Sequence, residues 1–207
     1  MLMDFSSYQE FLSSMAPFLL YVFMGVIIFL ETGVLVAFFI PGDSLLFFAG
    51  LVAASTDNVN ILLLVSIIFL AAFMGDQVGF ALGRTVGRSY LDKSNRPRFI
   101  KMVASAERFY SRYGWWAVVF ARFYPWIRTF VPPIAGISKM NYYRFLSANA
   151  LGAFVWGVGM TLLGYYAVQF PWIDENSKLI ALFFIVLSLV SGFVNYLRLQ
   201  RLPQSKS

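Results

Sequence analysis

Arg122 and Arg128 stand six residues apart in "ARFYPWIRTF" (121–130), a stretch otherwise made of apolar and aromatic residues around Pro125. A guanidinium carries its N–H donors in a planar fork that matches carboxylate and phosphate oxygens. A second charged set lies far upstream. Glu31 and Asp43 bracket "TGVLVAFFIPG", with Pro41 and Gly42 breaking any helix just before Asp43. Asp76 follows in "GDQVGFALGRTVGR". A charged side chain at the centre of a bilayer-spanning helix costs roughly 2.5–3.5 kcal/mol on insertion scales, so these five residues must pair or face water. The simplest chemistry is structural ion pairing. Yet two guanidiniums hold far more N–H donors than two carboxylates need. A phosphate monoester or diester headgroup would complete such a site, and Glu31 and Asp43 suit proton coupling. For Asp76 the structural reading, a cap or a pair with an interfacial arginine, comes first, with an accessory role in the site second.

The elements that carry these residues are apolar. The chain has 207 residues, of which 59% are hydrophobic and only 13% charged, with a mean hydropathy of +0.71. That charged fraction is about half the soluble average. Apolar regions at 16–56, 59–83, 114–138 and 145–170, with a final span near 179–197, approach or exceed the ~20 residues needed to cross a bilayer. The fold class expected is an all-α integral membrane protein forming a single domain. From Arg84 to Arg112 there are eight Lys/Arg against Asp92 and Glu107, and Lys139, Arg144, Arg198, Arg201 and Lys206 mark two further basic flanks. The positive-inside rule places all three flanks, and so the C-terminus, in the cytoplasm. Segment 114–138 then enters and leaves on one side, and with Pro125, Pro132 and Pro133 inside it, it reads as a re-entrant hairpin. Segment 16–56 is expected to form the matching outer hairpin, although 16–40 alone is long enough to span.

Displaced by 81 residues, "NILLLVSIIFLAAFMGDQVGFALG" (60–83) falls on "NYYRFLSANALGAFVWGVGMTLLG" (141–164) with seven identities, Asn60/Asn141 and Gly83/Gly164 among them. The two spans run in opposite senses, so inverted repeats are expected, one over about 1–83 and one over about 113–170. An amphipathic connector lies between them over 84–112. There Phe99, Val103, Ala106, Tyr110 and Tyr113 recur at helical spacing, the pattern of an interfacial helix. The N-terminus has Asp4 and Glu10 but no basic residue, so the first apolar segment is not expected to be a cleaved signal. Gly75, Gly79 and Gly83, every fourth residue, would let a neighbouring helix approach closely. The tryptophans are most simply interface anchors.

Histidine and cysteine are both absent. That removes His-dependent hydrolysis, HExxH zinc sites and thiol chemistry, and disfavours an enzyme such as a lipid phosphatase. The glycines of "GRTVGR" lack the Gly-Lys-Ser/Thr of a phosphate loop. No metal or cofactor is expected. The pI near 9.7 reflects cytoplasmic flanks rather than nucleic acid binding.

Together "ETGVLVAFFIPGDSLLFFAG", "GDQVGFALGR" and "FARFYPWIRTFVPPIAGISKMNYYRFLSANALGAFVWG" resemble the DedA family of bacterial membrane proteins, related to eukaryotic VTT-domain lipid scramblases. The resemblance covers roughly residues 16–170. It implies two facing re-entrant hairpins, a cytoplasmic-membrane location, proton-motive-force-linked transport, and functional roles for Glu31, Asp43, Arg122 and Arg128. Members include translocases returning undecaprenyl phosphate to the cytoplasmic face, while others are associated with phosphatidylethanolamine flipping or with pH and cation tolerance. The expectation is a lipid-phosphate flippase, with undecaprenyl phosphate as substrate and protons as coupling ion. Arg122 and Arg128 would bind the phosphate and Glu31 and Asp43 would couple protons. A general phospholipid flippase or scramblase and a proton-coupled ion exchanger are the alternatives, and the oligomeric state is open.

Overall fold

The computed structural model describes residues 5–33, 42–93, 97–124 and 128–169, and every element among them is helical. Residues 34–41 and 125–127, which fall within the two expected hairpins, and the expected final span at 179–197 lie outside the described residues.

Helix α1 (Phe5–Gly33) joins the amphipathic N-terminal stretch and the first apolar segment into one helix through Pro17. Helix α2 (Gly42–Ala54) starts at the glycine of the Pro-Gly pair, with Asp43 in its first turn. Helix α3 (Ile61–Leu82) runs on through a π-helical turn at Gly83–Gly87 into α4 (Arg88–Lys93). The basic connector forms α5 (Pro97–Tyr113). Two helices of seven residues follow, α6 (Trp115–Ala121) and α7 (Val131–Ile137). At 1.5 Å per residue each is only about 10 Å long, far short of a bilayer's hydrocarbon core. Helix α8 (Tyr142–Ala153) continues through a second π-helical turn, Phe154–Val158, into α9 (Gly159–Ala167).

Two continuous helices are long and apolar enough to cross a membrane, Ile61–Tyr90 and Tyr142–Ala167. Their starts correspond. Asn60 caps α3 by accepting from the Leu62 and Leu63 amides, and Asn141 caps α8 by accepting from the Arg144 amide. One turn on, Ser66 donates to the Leu62 carbonyl at 2.7 Å and Ser147 to the Tyr143 carbonyl at 3.0 Å. The first identities of the sequence repeat are therefore equivalent helix-start features.

The short helices cross over. α2 packs on α9, and α7 packs on α3. Each crossing is closed by reciprocal glycines. A methyl group on Gly50 would strike the Thr161 carbonyl, and one on Gly164 the Phe47 carbonyl. In the other crossing, Gly136 meets the Phe80 carbonyl and Gly83 the Pro133 carbonyl. Further along α3, Gly75 lies against Thr32 and Gly33 of α1, so the glycine stripe admits two neighbours at backbone distance.

Two apolar clusters result. Met24, Ile28, Leu46, Leu64, Ile68 and Trp156 anchor one, and Phe80, Val118, Val131, Ala135 and Phe145 the other, where the Phe80 and Phe145 rings stack at 4.4 Å. On α5, Val103 is buried and Tyr110 half-buried, its hydroxyl donating to the Val131 carbonyl at 3.1 Å. Burial holds the Tyr110 phenol well above its usual range, so it stays a donor. That bond ties the connector to the start of α7.

Candidate substrate-binding site

The charged residues singled out in the sequence are all brought together, in two centres. Arg128 lies in the turn that leads into α7, with its amide bonded to the Tyr124 carbonyl at 3.0 Å. Its Nη2 is ion-paired with Glu31 near the end of α1, and its Nη1 with Asp43 at 2.8 Å. Glu31 is 1% exposed, held beneath Gly42, where any side chain would strike its carboxylate. The Pro-Gly-Asp motif thus serves twice: Gly42 makes room for one carboxylate and Asp43 supplies another.

Arg122, at the C-terminal end of α6, does not share those carboxylates. Its Nη1 is ion-paired with Asp76 and donates to Asn149 Oδ1 at 2.7 Å, while Nη2 reaches the Ala72 carbonyl at 3.4 Å. Asn149 is oriented in turn, its Nδ2 donating to the Phe73 carbonyl at 3.1 Å. Gly152 leaves space for the arginine's methylene arm. Asp76, placed in the sequence reading beside the interfacial arginines, belongs to this buried centre. Arg84 and Arg88 donate instead to the Met140 and Ile137 carbonyls.

Trp156 joins the centres. Its ring lies 4.4 Å from the Arg128 guanidinium carbon and 5.4 Å from that of Arg122, both within cation–π range. Its indole N–H donates to Asp43 Oδ1 at 2.6 Å. A π-helical turn carries Trp156, and such turns often re-aim a residue at a functional site. A void of about 10 Å³, room for roughly one water, separates the two arginines and is bounded by Asp76, Val118, Val131 and Pro132. Arg122 Nε, Arg128 Nε and Glu31 Oε2 have no hydrogen-bond partner among the described residues.

Trp156 and Asn149 were not singled out from the sequence. Trp156 carries no charge and resembled an interface anchor. Asn149 could have been found: a buried amide in a membrane helix is costly without partners, and "SANALG" places one there. No cluster of three or more metal-ligating side chains occurs among the described residues.

The arrangement is that of a helical membrane protein with ion-paired guanidiniums buried among its spans. A VTT domain matches residues 40–166. Protein DedA of Escherichia coli (strain K12) is 35% identical over 183 residues, 87% of this chain and 84% of that protein. An uncharacterized membrane protein of Mycobacterium tuberculosis (strain H37Rv) is 40% identical over 179 residues, 85% of this chain and 78% of that protein. A third, from Mycobacterium leprae, is 37% identical over 171 residues, 82% of this chain and 76% of that protein. No solved structure matches significantly. The chain belongs to the DedA family of VTT-domain membrane proteins.

Proposed function

We propose that the protein is a proton-motive-force-linked flippase for lipid phosphates, with undecaprenyl phosphate as its substrate, in the bacterial cytoplasmic membrane. It acts as a transporter rather than an enzyme. The observation that carries this reading is Arg128: a buried guanidinium whose counter-charges come from two separate elements, one of them with a side chain 39% exposed. A fixed structural pair has no need of an accessible partner, whereas an exchangeable anion site does. Arg122, across the small void, adds positive field to the same pocket.

In this reading segments 16–56 and 114–138 are facing re-entrant hairpins of inverted repeats. The supporting features are the matched helix starts, the reciprocal glycine crossings and the short length of α6 and α7. Irregular backbone at that depth is tolerated where it is buried in protein or lines a cavity. Protonation of Asp43 or Glu31 from outside loosens the carboxylates' hold on Arg128, and the headgroup takes the place of Asp43 while the tail stays in lipid. Rocking of the repeats opens the pocket to the cytoplasm, where deprotonation restores the pairs and expels the lipid. Each charge moved across the membrane is worth about 2.3 kcal/mol per 100 mV, enough to bias direction.

The test is transbilayer movement of undecaprenyl phosphate beside phosphatidylethanolamine in vesicles, with and without a proton gradient. Gradient-stimulated movement of the undecaprenyl lipid alone is expected. Equal movement of both lipids would make the protein a general scramblase, and lipid-independent ion flux would replace the reading with ion exchange.

A further inference from the structure

The Asp43 carboxylate sits in an anion site that other elements build. Two N–H donors converge on its Oδ1, Nη1 of Arg128 at 2.8 Å and Nε1 of Trp156 at 2.6 Å. They come from the turn before α7 and the π-helical turn after α8, both remote from α2 in the chain. Donors of this kind, one cationic and one a pure donor, recognise an oxyanion and are indifferent to whether carbon or phosphorus bears it. The donors are fixed, Arg128 being 7% and Trp156 2% exposed, with the indole ring packed against the guanidinium. The carboxylate is the member that can leave. It stands on the first turn of α2 with a side chain 39% exposed. Glu31, 1% exposed and covered by Gly42, has no such freedom.

We propose that Asp43 is a tethered stand-in for the substrate's phosphate: an oxyanion binds by displacing this carboxylate from Arg128 and Trp156, while Glu31 stays on Arg128. The proposal rests on the lipid-phosphate reading above and makes Trp156 a direct ligand of the headgroup. It also gives the closed state a physical reason. Without an occupant, the buried N–H of Trp156 and one face of the Arg128 fork would be left unpaired, which is costly in a low-dielectric interior. A tethered anion satisfies them between substrates. The consequence is a weakened apparent affinity, because the site is open only for the fraction of time the carboxylate is away.

Equilibrium binding to the purified full-length protein tests this, with inorganic phosphate, undecaprenyl phosphate and undecaprenol as probes. Asp43→Ala removes the occupant and should tighten undecaprenyl phosphate binding by about tenfold or more, as expected if the carboxylate holds the site at least nine-tenths of the time. Asp43→Asn leaves a neutral acceptor in place and should give a smaller gain, which keeps the test sound if the alanine variant folds poorly. Adding Trp156→Phe to either variant should erase most of the gain, and undecaprenol should show none. A gain for inorganic phosphate as well supports a site for any phosphate oxyanion, whereas a gain for the lipid alone supports one that also needs the tail. Binding that is unchanged or weaker in both Asp43 variants overturns the proposal, as does a gain that survives Trp156→Phe. If wild type flips lipid but no gain appears, only the tethered-anion idea fails. If the gain appears and no lipid moves, only the flippase reading fails.

Discussion

Two arginines six residues apart end in different surroundings, and in the proposed reading the difference separates a holding role from an exchanging one. Every acceptor of Arg122 comes from a long apolar helix or its backbone: Asp76 and the Ala72 carbonyl from α3, Asn149 from α8. Asp76 is 5% and Asn149 1% exposed, and the amide is itself pinned to Phe73. Releasing Arg122 would strand a buried carboxylate. Arg128 instead takes its carboxylates from the last turn of α1 and the first turn of α2, with Asp43 open to the surroundings. One centre is closed by buried groups of the scaffold, and the other in part by a side chain that is 39% exposed.

The comparison can be broken in several places. Arg128→Ala should reduce lipid movement in vesicles to background; because it leaves Glu31 buried and unpaired it should also lower the denaturation midpoint, so the rate is read on protein that keeps its folded elution. Arg128→Lys should restore only part of the activity, because an ammonium lacks the fork. Wild-type rates in a folded Arg128→Ala variant would remove it from the site.

Arg122→Ala should act on stability first. Leaving Asp76 buried and unpaired costs about 3–5 kcal/mol, seen as a large drop in denaturation midpoint. Asp76→Ala combined with Arg122→Ala should recover much of that loss, and the double-mutant cycle measures the coupling. Additive losses would mean the pair does not hold the scaffold.

Gly42→Ala is a milder probe. The added methyl must push the Glu31 carboxylate aside, so stability should fall by about 1–3 kcal/mol and transport severalfold. A neutral result would show that Glu31 can move freely. Smallest of all, Tyr110→Phe removes one hydrogen bond to the Val131 carbonyl and should cost about 1 kcal/mol without changing lipid selectivity.

Much of this is legible in the sequence. Charge in an apolar context is conspicuous because it is expensive, so Glu31, Asp43, Asp76, Arg122 and Arg128 stand out from their neighbours in the sequence. The helix starts at Ile61 and Tyr142 follow from Asn60 and Asn141, which are local signals. Which carboxylate meets which arginine was not legible, because it depends on α7 packing on α3 and α2 on α9, contacts between elements far apart in the chain. Asp76 has Arg84 and Arg88 as its nearest basic residues in the sequence, yet more than two turns of helix put it at a different depth from either. Trp156 escaped because its role comes from two guanidiniums contributed by a distant segment, and nothing in "AFVWGVG" announces them.

The most direct measurement is the nitrogen-15 spectrum of the arginine side chains in the purified protein as undecaprenyl phosphate is added, with Arg122→Lys and Arg128→Lys used to assign the signals. An exchanging Arg128 and a holding Arg122 require the Arg128 guanidinium signals to shift on titration and those of Arg122 to stay in place. Equal shifts at both, or a shift at Arg122 alone, would contradict the division of labour between the two arginines.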